Sequence, residues 1–478
     1  MVFSSLTFLY IFLTVTVGVY FILPGIRTKN VWLLCVSLFF YAWGEPVCVL
    51  LMAFVAFVNY FFGRLINHTR GTPYAKKYLV IAVILSLAGL IFFKYTGFII
   101  EIINVPIGAI LPWKIPVPQI TMPIGISFFT FQALSYTIDV YRNETEVQKN
   151  YAYFLMYVTF FPQLIAGPIV RYSDINAQIL KRKVTLKGFS QGATRFLAGL
   201  GKKVLIGNYA GGLVSQLIGP SVASADFTTT STWLGIIFYA IQIYFDFSGY
   251  SDMAIGMGQM FGFKFLENFN YPYIANSITD FWRRWHMSLS SFFRDYVYIP
   301  LGGNRRLQFR NLFVVWLLTG LWHGASVNFV MWGLYYFLFL VIEKYLLKNI
   351  MEKIPSVIRH VYSLLVVLVG WVFFYFDDMK RMWSALGTMF GLTSNHFTGA
   401  LIEEGVLIGN IPFLLIAVIA CLPAARLTKN AVNSLSRKSY GWDTATVAMV
   451  AGYNAFMIFW CTAAMAGSTF NPFLYFRF

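Results

Sequence analysis

Charge is what this sequence has least of. Only 12% of its 478 residues are Asp, Glu, Lys or Arg, against about 25% in a water-soluble domain. That scarcity excludes a disordered chain, a fibrous protein and almost any soluble enzyme. Acid is rarer than base, 19 residues against 36, leaving a net charge of +17. In a soluble protein such a surplus points to nucleic acid. Here the basic residues lie in short loops between apolar runs, so the surplus reads as topology and contact with lipid headgroups, with no nucleic-acid partner. Cysteine is also scarce. Cys35, Cys48, Cys421 and Cys461 lie inside apolar runs with no Cys-x-x-Cys or Cys/His spacing, which argues against a zinc site or disulfide framework and reads them as small core residues. No internal repeat, Walker loop, Gly-x-Ser-x-Gly elbow or metal cluster is present, and the missing repeat disfavours a repeat-built transporter.

What the chain has is apolar and aromatic mass. Hydrophobic residues make up 58%, with 49 Phe, 29 Tyr and 13 Trp, and the mean hydropathy is +0.66. This composition predicts an all-α, polytopic membrane protein. Residues 1–23 are apolar with no basic residue before them, so they read as a first transmembrane helix rather than a cleavable signal. Arg27 and Lys29 follow the run, which by the positive-inside rule places the N-terminus outside and the loop in the cytoplasm. A helix over 31–62 would measure roughly 48 Å against a ~30 Å hydrocarbon core. The Gly44-Glu45-Pro46 break is therefore expected to fold it into a hairpin. Further runs near 78–93, 96–111, 122–138, 151–170, 203–219, 232–262, 311–342, 358–376, 405–424 and 444–466 bring the expected crossings to roughly ten to twelve. Two stretches differ: 171–203 is basic and interfacial or cytoplasmic in character, and 275–310 is amphipathic.

Ionisable groups at membrane depth are costly, so each is a functional candidate. Of the five histidines, His68, His360 and His396 stand near loops or span ends beside other polar residues. His323 sits inside an apolar run, within Thr319-Gly320-Leu321-Trp322-His323-Gly324-Ala325-Ser326. The run is too long for one straight span, and the glycines and serine mark where it bends. Gly320 and Gly324 remove side chains beside the imidazole, which admits another backbone or an elongated substrate. A titratable ring at such a gap suits a general base acting on a hydroxyl or thiol. A helix-packing Gly-x-x-x-Gly with a bonded histidine explains the same residues.

The second candidate is His286. Ser277 and Asp280 resemble a capping box, and Trp282, Trp285, Leu289, Phe293 and Tyr296 follow at helical spacing, predicting one amphipathic helix with an aromatic stripe. His286 falls at the stripe's edge, with Arg283 and Ser290 on the adjoining polar flank. A membrane-surface helix accounts for the same pattern. The third candidate is Asp246, which shares a helix face with Gln242. Burial requires a partner for it, and Arg283, Arg284 and Arg294 are the cations at hand, so Asp246, Arg284 and Arg294 read as ion-pairing groups.

Taken together, these segments resemble the membrane-bound O-acyltransferase family, and within it the bacterial branch of the alginate O-acetyltransferase membrane subunit and the teichoic acid D-alanyl transfer protein. The resemblance rests on Phe40-Tyr41-Ala42-Trp43-Gly44, on 122–132 (Met122-Pro123-Ile124-Gly125 to Gln132), on 161–171 (Phe161-Pro162-Gln163 to Arg171), on 246–256 and 281–300, on Leu321-Trp322-His323-Gly324, and on Asn471-Pro472-Phe473-Leu474-Tyr475-Phe476. It covers nearly the whole chain, in family order. It implies a single multi-pass domain over 1–478 with a catalytic core at about 120–345. It also implies re-entrant and interfacial helices around a central tunnel, in a bacterial inner membrane. The family's essential histidine matches His323, and its second position, Asn or His in a motif following Arg-Arg-Trp, matches His286. On that footing His323 and His286 are the catalytic candidates, and Trp322, Gly324, Arg283, Ser290 and Gln132 the substrate-binding ones.

The implied donor is cytoplasmic acetyl-CoA, with no metal. The implied partners are an exported polysaccharide, membrane lipid and an extracytoplasmic acetyltransferase. A histidine between Trp322 and Gly324 would be held neutral by burial, as a base must be. Two other readings stay open at this level: D-alanyl transfer from a carrier protein to teichoic acid, and a transporter or flippase with histidine proton relays.

Overall fold

In lipid a backbone must satisfy its own hydrogen bonds, and every regular element of the computed structural model is helical among the described residues, which are 1–111, 113–165, 167–398, 401–436 and 440–467. The Asn471–Phe476 motif lies outside them. Five helices are long and apolar enough to cross a membrane by themselves: Cys48–His68, Pro73–Ile110, Val327–Leu346, Ser356–Tyr375 and Asp443–Ala466. Several other apolar runs are divided into shorter helices, which is why runs outnumber such spans. The chain forms two compact units, Met1–Phe196 with Met253–Leu266, and Leu197–Asp252 with Glu267–Phe478.

In the first unit the expected break is present. Gly25–Ala42 and Cys48–His68 are separate helices. Gly44 and Glu45 both donate to the Tyr41 carbonyl, and Pro46 has no N–H with which to continue the ladder. The runs at 78–93 and 96–111, by contrast, are one helix, Pro73–Ile110. Lys94 interrupts the hydropathy without interrupting the helix, because its buried ammonium reaches Ser127 Oγ at 3.4 Å. Asn59, Ser86 and Thr137 join three helices through side-chain hydrogen bonds of 2.8 and 2.7 Å. Ile126–Arg142 is buried along nearly its whole length. It starts from Gly125 at φ +76, where a Cβ would press on the Leu164 carbonyl oxygen. Cys35 is exposed and Cys48 half-buried, so only Cys421 and Cys461 are the core residues expected of all the cysteines.

The basic stretch 171–203 is not wholly interfacial. Arg182 is buried, donating to the Phe261 and Ile179 carbonyls, with its guanidinium 4.2 Å from the Phe263 ring centroid. Lys203, in the second unit, is buried as well.

The second unit departs most from the pattern-based expectation at 275–310. Instead of one amphipathic helix there are two short ones, Ile278–Arg284 and Met287–Phe293, and a π-helical turn, Arg294–Tyr298. Ser277 caps the first, accepting from Asp280 N at 3.0 Å. The Glu343 carboxylate accepts from Ile278 N, Thr279 N and Thr279 Oγ1, satisfying donors that a helix start leaves open. The aromatic stripe is core rather than membrane surface: Trp282 packs on Trp316, Trp332 and Tyr336, and Phe281 and Trp285 on Trp371.

The run at 311–342 breaks where its glycines and serine suggested, into Gln308–His323 and Val327–Val341. Their crossing is backbone on backbone. A Cβ on Gly320 would sit on the Phe329 carbonyl oxygen, and one on Gly333 on the Trp316 carbonyl oxygen. Gly320→Ala is expected to cost about 1–3 kcal/mol through overpacking, read as a lower melting temperature in detergent. Gly212→Ala, with nothing within 4 Å of the new Cβ, should leave melting unchanged or slightly raised.

Candidate active site

His323 is the last residue of the Gln308–His323 helix, and Gly324 leaves that helix with extended backbone. The imidazole is buried, 4% exposed. Its neighbours are aromatic: ring centroids lie 4.8 Å away at Trp322, 5.0 Å at Trp332, 5.1 Å at Phe374 and 6.4 Å at Phe329. The glycine gap expected beside it is filled by protein. Phe329 O and Gly333 meet Gly320, and a Cβ on Gly324 would strike the Phe329 ring. Of the two readings of these glycines, close helix packing is the one observed, so Gly324 offers no vacant substrate contact.

His286 reaches the same place by another route. It occupies the break between the two short helices, with φ 45° and ψ 53°, a left-handed conformation uncommon for a residue with a Cβ. The ring is 1% exposed, edge-on to Phe247 at 4.7 Å and to Trp322 at 5.7 Å between centroids. One indole, that of Trp322, thus touches both histidines, which the sequence could only propose one by one. Burial pushes the His286 pKa down to about 3, because removing water penalises the imidazolium. The ring is therefore neutral at any physiological pH. Its Nδ1 stands 3.2 Å from Asn268 Oδ1.

The remaining candidates divide. Arg283 is exposed. Ser290 Oγ donates to the Trp282 carbonyl at 3.3 Å, a use internal to the turn. Gln132, in the first unit, is fully buried, and neither its amide nitrogen nor its oxygen has a partner among the described residues. Asp246 does form a buried ion pair, but its partner is Lys203 and not an arginine. Arg284 pairs with Asp280 at 3.0 Å and Arg294 with Asp295 at 2.6 Å. Each arginine finds an acid in its own segment, and helix geometry makes the first an i,i+4 pair.

Lys203 was missed because charge marked it as the edge of an apolar run. It lies in a π-helical turn, Lys202–Gly207, from which two adjacent lysines reach acids of one helix, Lys202 to Asp252 at 2.7 Å and Lys203 to Asp246. Asn208 Oδ1 accepts a further bond from Lys203 at 2.8 Å. Lys203→Met strands a buried carboxylate and is expected to cost about 3–5 kcal/mol. The double change Lys203→Met with Asp246→Leu should recover most of that loss in the same melting assay. Asn268 and Ser288 also went unread; a polar Asn268-Phe269-Asn270 loop carries no signal of contact with His286. Among the described residues no group of His, Cys, Asp and Glu is arranged to hold a metal ion. The chemistry on offer is that of buried imidazoles in an aromatic setting, able to accept a proton or a hydrogen bond.

The sequence model of the membrane-bound O-acyltransferase family (MBOAT) matches residues 34–386, which include both histidines. The chain is 43% identical over 394 residues to the probable alginate O-acetylase AlgI of Pseudomonas aeruginosa, covering 82% of this chain and 75% of that protein. It is 34% identical over 433 residues to the peptidoglycan O-acetyltransferase of Helicobacter pylori, covering 82% and 80% respectively. Likeness to the teichoic acid D-alanyltransferase of Bacillus subtilis is narrower, 30% over 228 residues and 45% of this chain.

Proposed function

The chain belongs to the membrane-bound O-acyltransferase family, and from that premise we propose that this multi-pass membrane O-acetyltransferase takes acetyl from cytoplasmic acetyl-CoA and delivers it to hydroxyls of an exported polysaccharide. Delivery is direct or through an extracytoplasmic partner protein. The observation that carries the site assignment is the convergence of two buried histidines on the Trp322 indole. His323 removes the proton as the hydroxyl oxygen attacks the acetyl carbonyl. The carbon–sulfur bond then breaks, and the CoA thiolate takes the proton. A neutral imidazole suits this task at neutral pH. We read the chain as one domain with its catalytic core at about 120–345, set in a bacterial inner membrane with the N-terminus extracytoplasmic.

The acetyl donor is favoured over carrier-linked D-alanine because the two O-acetyl relatives match this chain over 82% of its length and the D-alanyl relative over 45%. Alginate is the first polymer to try as acceptor, since the more similar of these relatives is named for it. Membership of an acyltransferase family removes the transporter alternative. The test is to give the purified protein radiolabelled acetyl-CoA with no carrier, follow CoA release, and look for label on added polysaccharide and on the protein. Release of CoA with acetylated polymer supports the reading, and label on the protein would add an acyl-enzyme step. No release in the presence of acceptor overturns the acetyl-CoA donor.

A further inference from the structure

We propose that Asn268 is a positioning residue that locks His286 in its Nδ1–H tautomer, so that Nε2 presents a lone pair and accepts a hydrogen bond from a hydroxyl of the acyl acceptor next to the one that His323 deprotonates. The catalytic meaning of this lock rests on His286 belonging to the active site as proposed above; the lock itself does not.

The argument starts from a backbone amide. Ser288 N lies 3.2 Å from Asn268 Oδ1. A main-chain N–H can only donate, so the atom facing it is the carboxamide oxygen, and the usual ambiguity in the orientation of an Asn amide is removed. Ser288 Oγ donates to the same oxygen at 2.9 Å. At the other end, Asn268 Nδ2 donates to Ser251 Oγ at 3.1 Å. The main chain is pinned too, with Met287 N donating to Asn268 O at 2.9 Å. Asn268 is itself 1% exposed, so water has little access with which to loosen these bonds.

His286 Nδ1 approaches this fixed oxygen at 3.2 Å. Ser288 Oγ also lies 3.4 Å from Nδ1, but its one hydrogen goes to Asn268 Oδ1 over the shorter 2.9 Å. Both oxygens therefore face Nδ1 as acceptors, and Nδ1 carries the hydrogen. A neutral imidazole has one N–H, so Nε2 is left with its lone pair. The opposite tautomer would set two lone pairs against each other at Nδ1. It would also bury an N–H at Nε2, an atom with no hydrogen-bond partner among the described residues. Phe247 and Trp322 pack against the ring and oppose the flip that would exchange the two nitrogens. The left-handed backbone at His286 fits the same account: strained conformations persist where surrounding bonds over-determine them, and they cluster at functional sites. The bonds from Met287 and Ser288 to Asn268 are what hold this turn.

The consequence is chemical. An Nε2 lone pair cannot hydrogen-bond to an acyl carbonyl or a thioester carbonyl, since both are acceptors. It can take an O–H. His286 therefore orients the alcohol and not the acyl group.

The test is solid-state NMR of the full chain in lipid nanodiscs with 15N-labelled histidine at neutral pH, the His286 signals being those lost in His286→Asn. The expected result is a protonated Nδ1 and a bare Nε2, retained in Asn268→Asp, which keeps the accepting oxygen. In Asn268→Leu the tautomers should mix or invert. A wild-type His286 protonated on Nε2 overturns the lock, as does an unchanged tautomer in folded Asn268→Leu. Should Asn268→Leu not fold, the wild-type and Asn268→Asp spectra still decide: loss of Nδ1–H in either overturns the proposal. Acetyl transfer is measured alongside. Full activity in His286→Gly with the tautomer as expected would leave the lock standing and overturn the role of His286 in the active site.

Discussion

His323→Ala is expected to lower acetyl transfer by about 10²–10⁴-fold, the range lost with a general base, while the protein remains in the membrane at near-normal level. The reasoning is local. The imidazole is ringed by Trp322, Phe329, Trp332 and Phe374, and those aromatic side chains cannot take over proton transfer. The substitution also opens a cavity among them, and cavities lower stability, so the assay must separate activity from folding. Polymer acetylation is measured in cells carrying the variant, and the variant's amount and melting temperature after detergent extraction. Acetylation undiminished at equal protein level would remove His323 from the mechanism.

His286→Gly is the second large effect, expected at about 10²-fold or more in acetyl transfer, measured at equal protein level and with the melting temperature recorded alongside. Gly is the substitute of choice because it adopts left-handed backbone without steric cost, and His286 sits at φ 45°. His286→Val forms the contrasting case. A β-branched residue is a true outlier at positive φ, so this variant should lose stability as well as activity. An active His286→Gly protein would remove the ring from the mechanism, whereas activity kept in His286→Asn is expected, since a carboxamide oxygen accepts the same O–H.

How much of this could be read from the chain depended on whether the cause was local. The breaks at Gly44–Pro46 and Gly324–Ser326 were legible because glycine, proline and serine act on their own backbone. The break at His286 was not. Trp282, Trp285, Leu289 and Phe293 keep helical spacing across it, and a histidine in left-handed conformation gives no compositional sign. The single helix Pro73–Ile110 was read as two runs because hydropathy registers Lys94 and cannot see Ser127 beside it. Glycines around His323 gave the right bend and left their use open, since an absent side chain fits an incoming ligand and a crossing helix equally well. Asp246 was correctly expected to need a cation. Which cation depended on a π-helical turn that no spacing rule announces. His286 and His323 were each visible; their shared indole was a fact of tertiary packing.

The Glu343 carboxylate grips the first amides of Ile278–Arg284, the short helix leading to His286. Glu343 stands at the far end of the Val327–Leu346 span, whose near end follows directly on His323. One rod therefore begins just after one candidate histidine and ends on the mount of the other. Two imidazoles well separated along the chain thereby lean on a single helix.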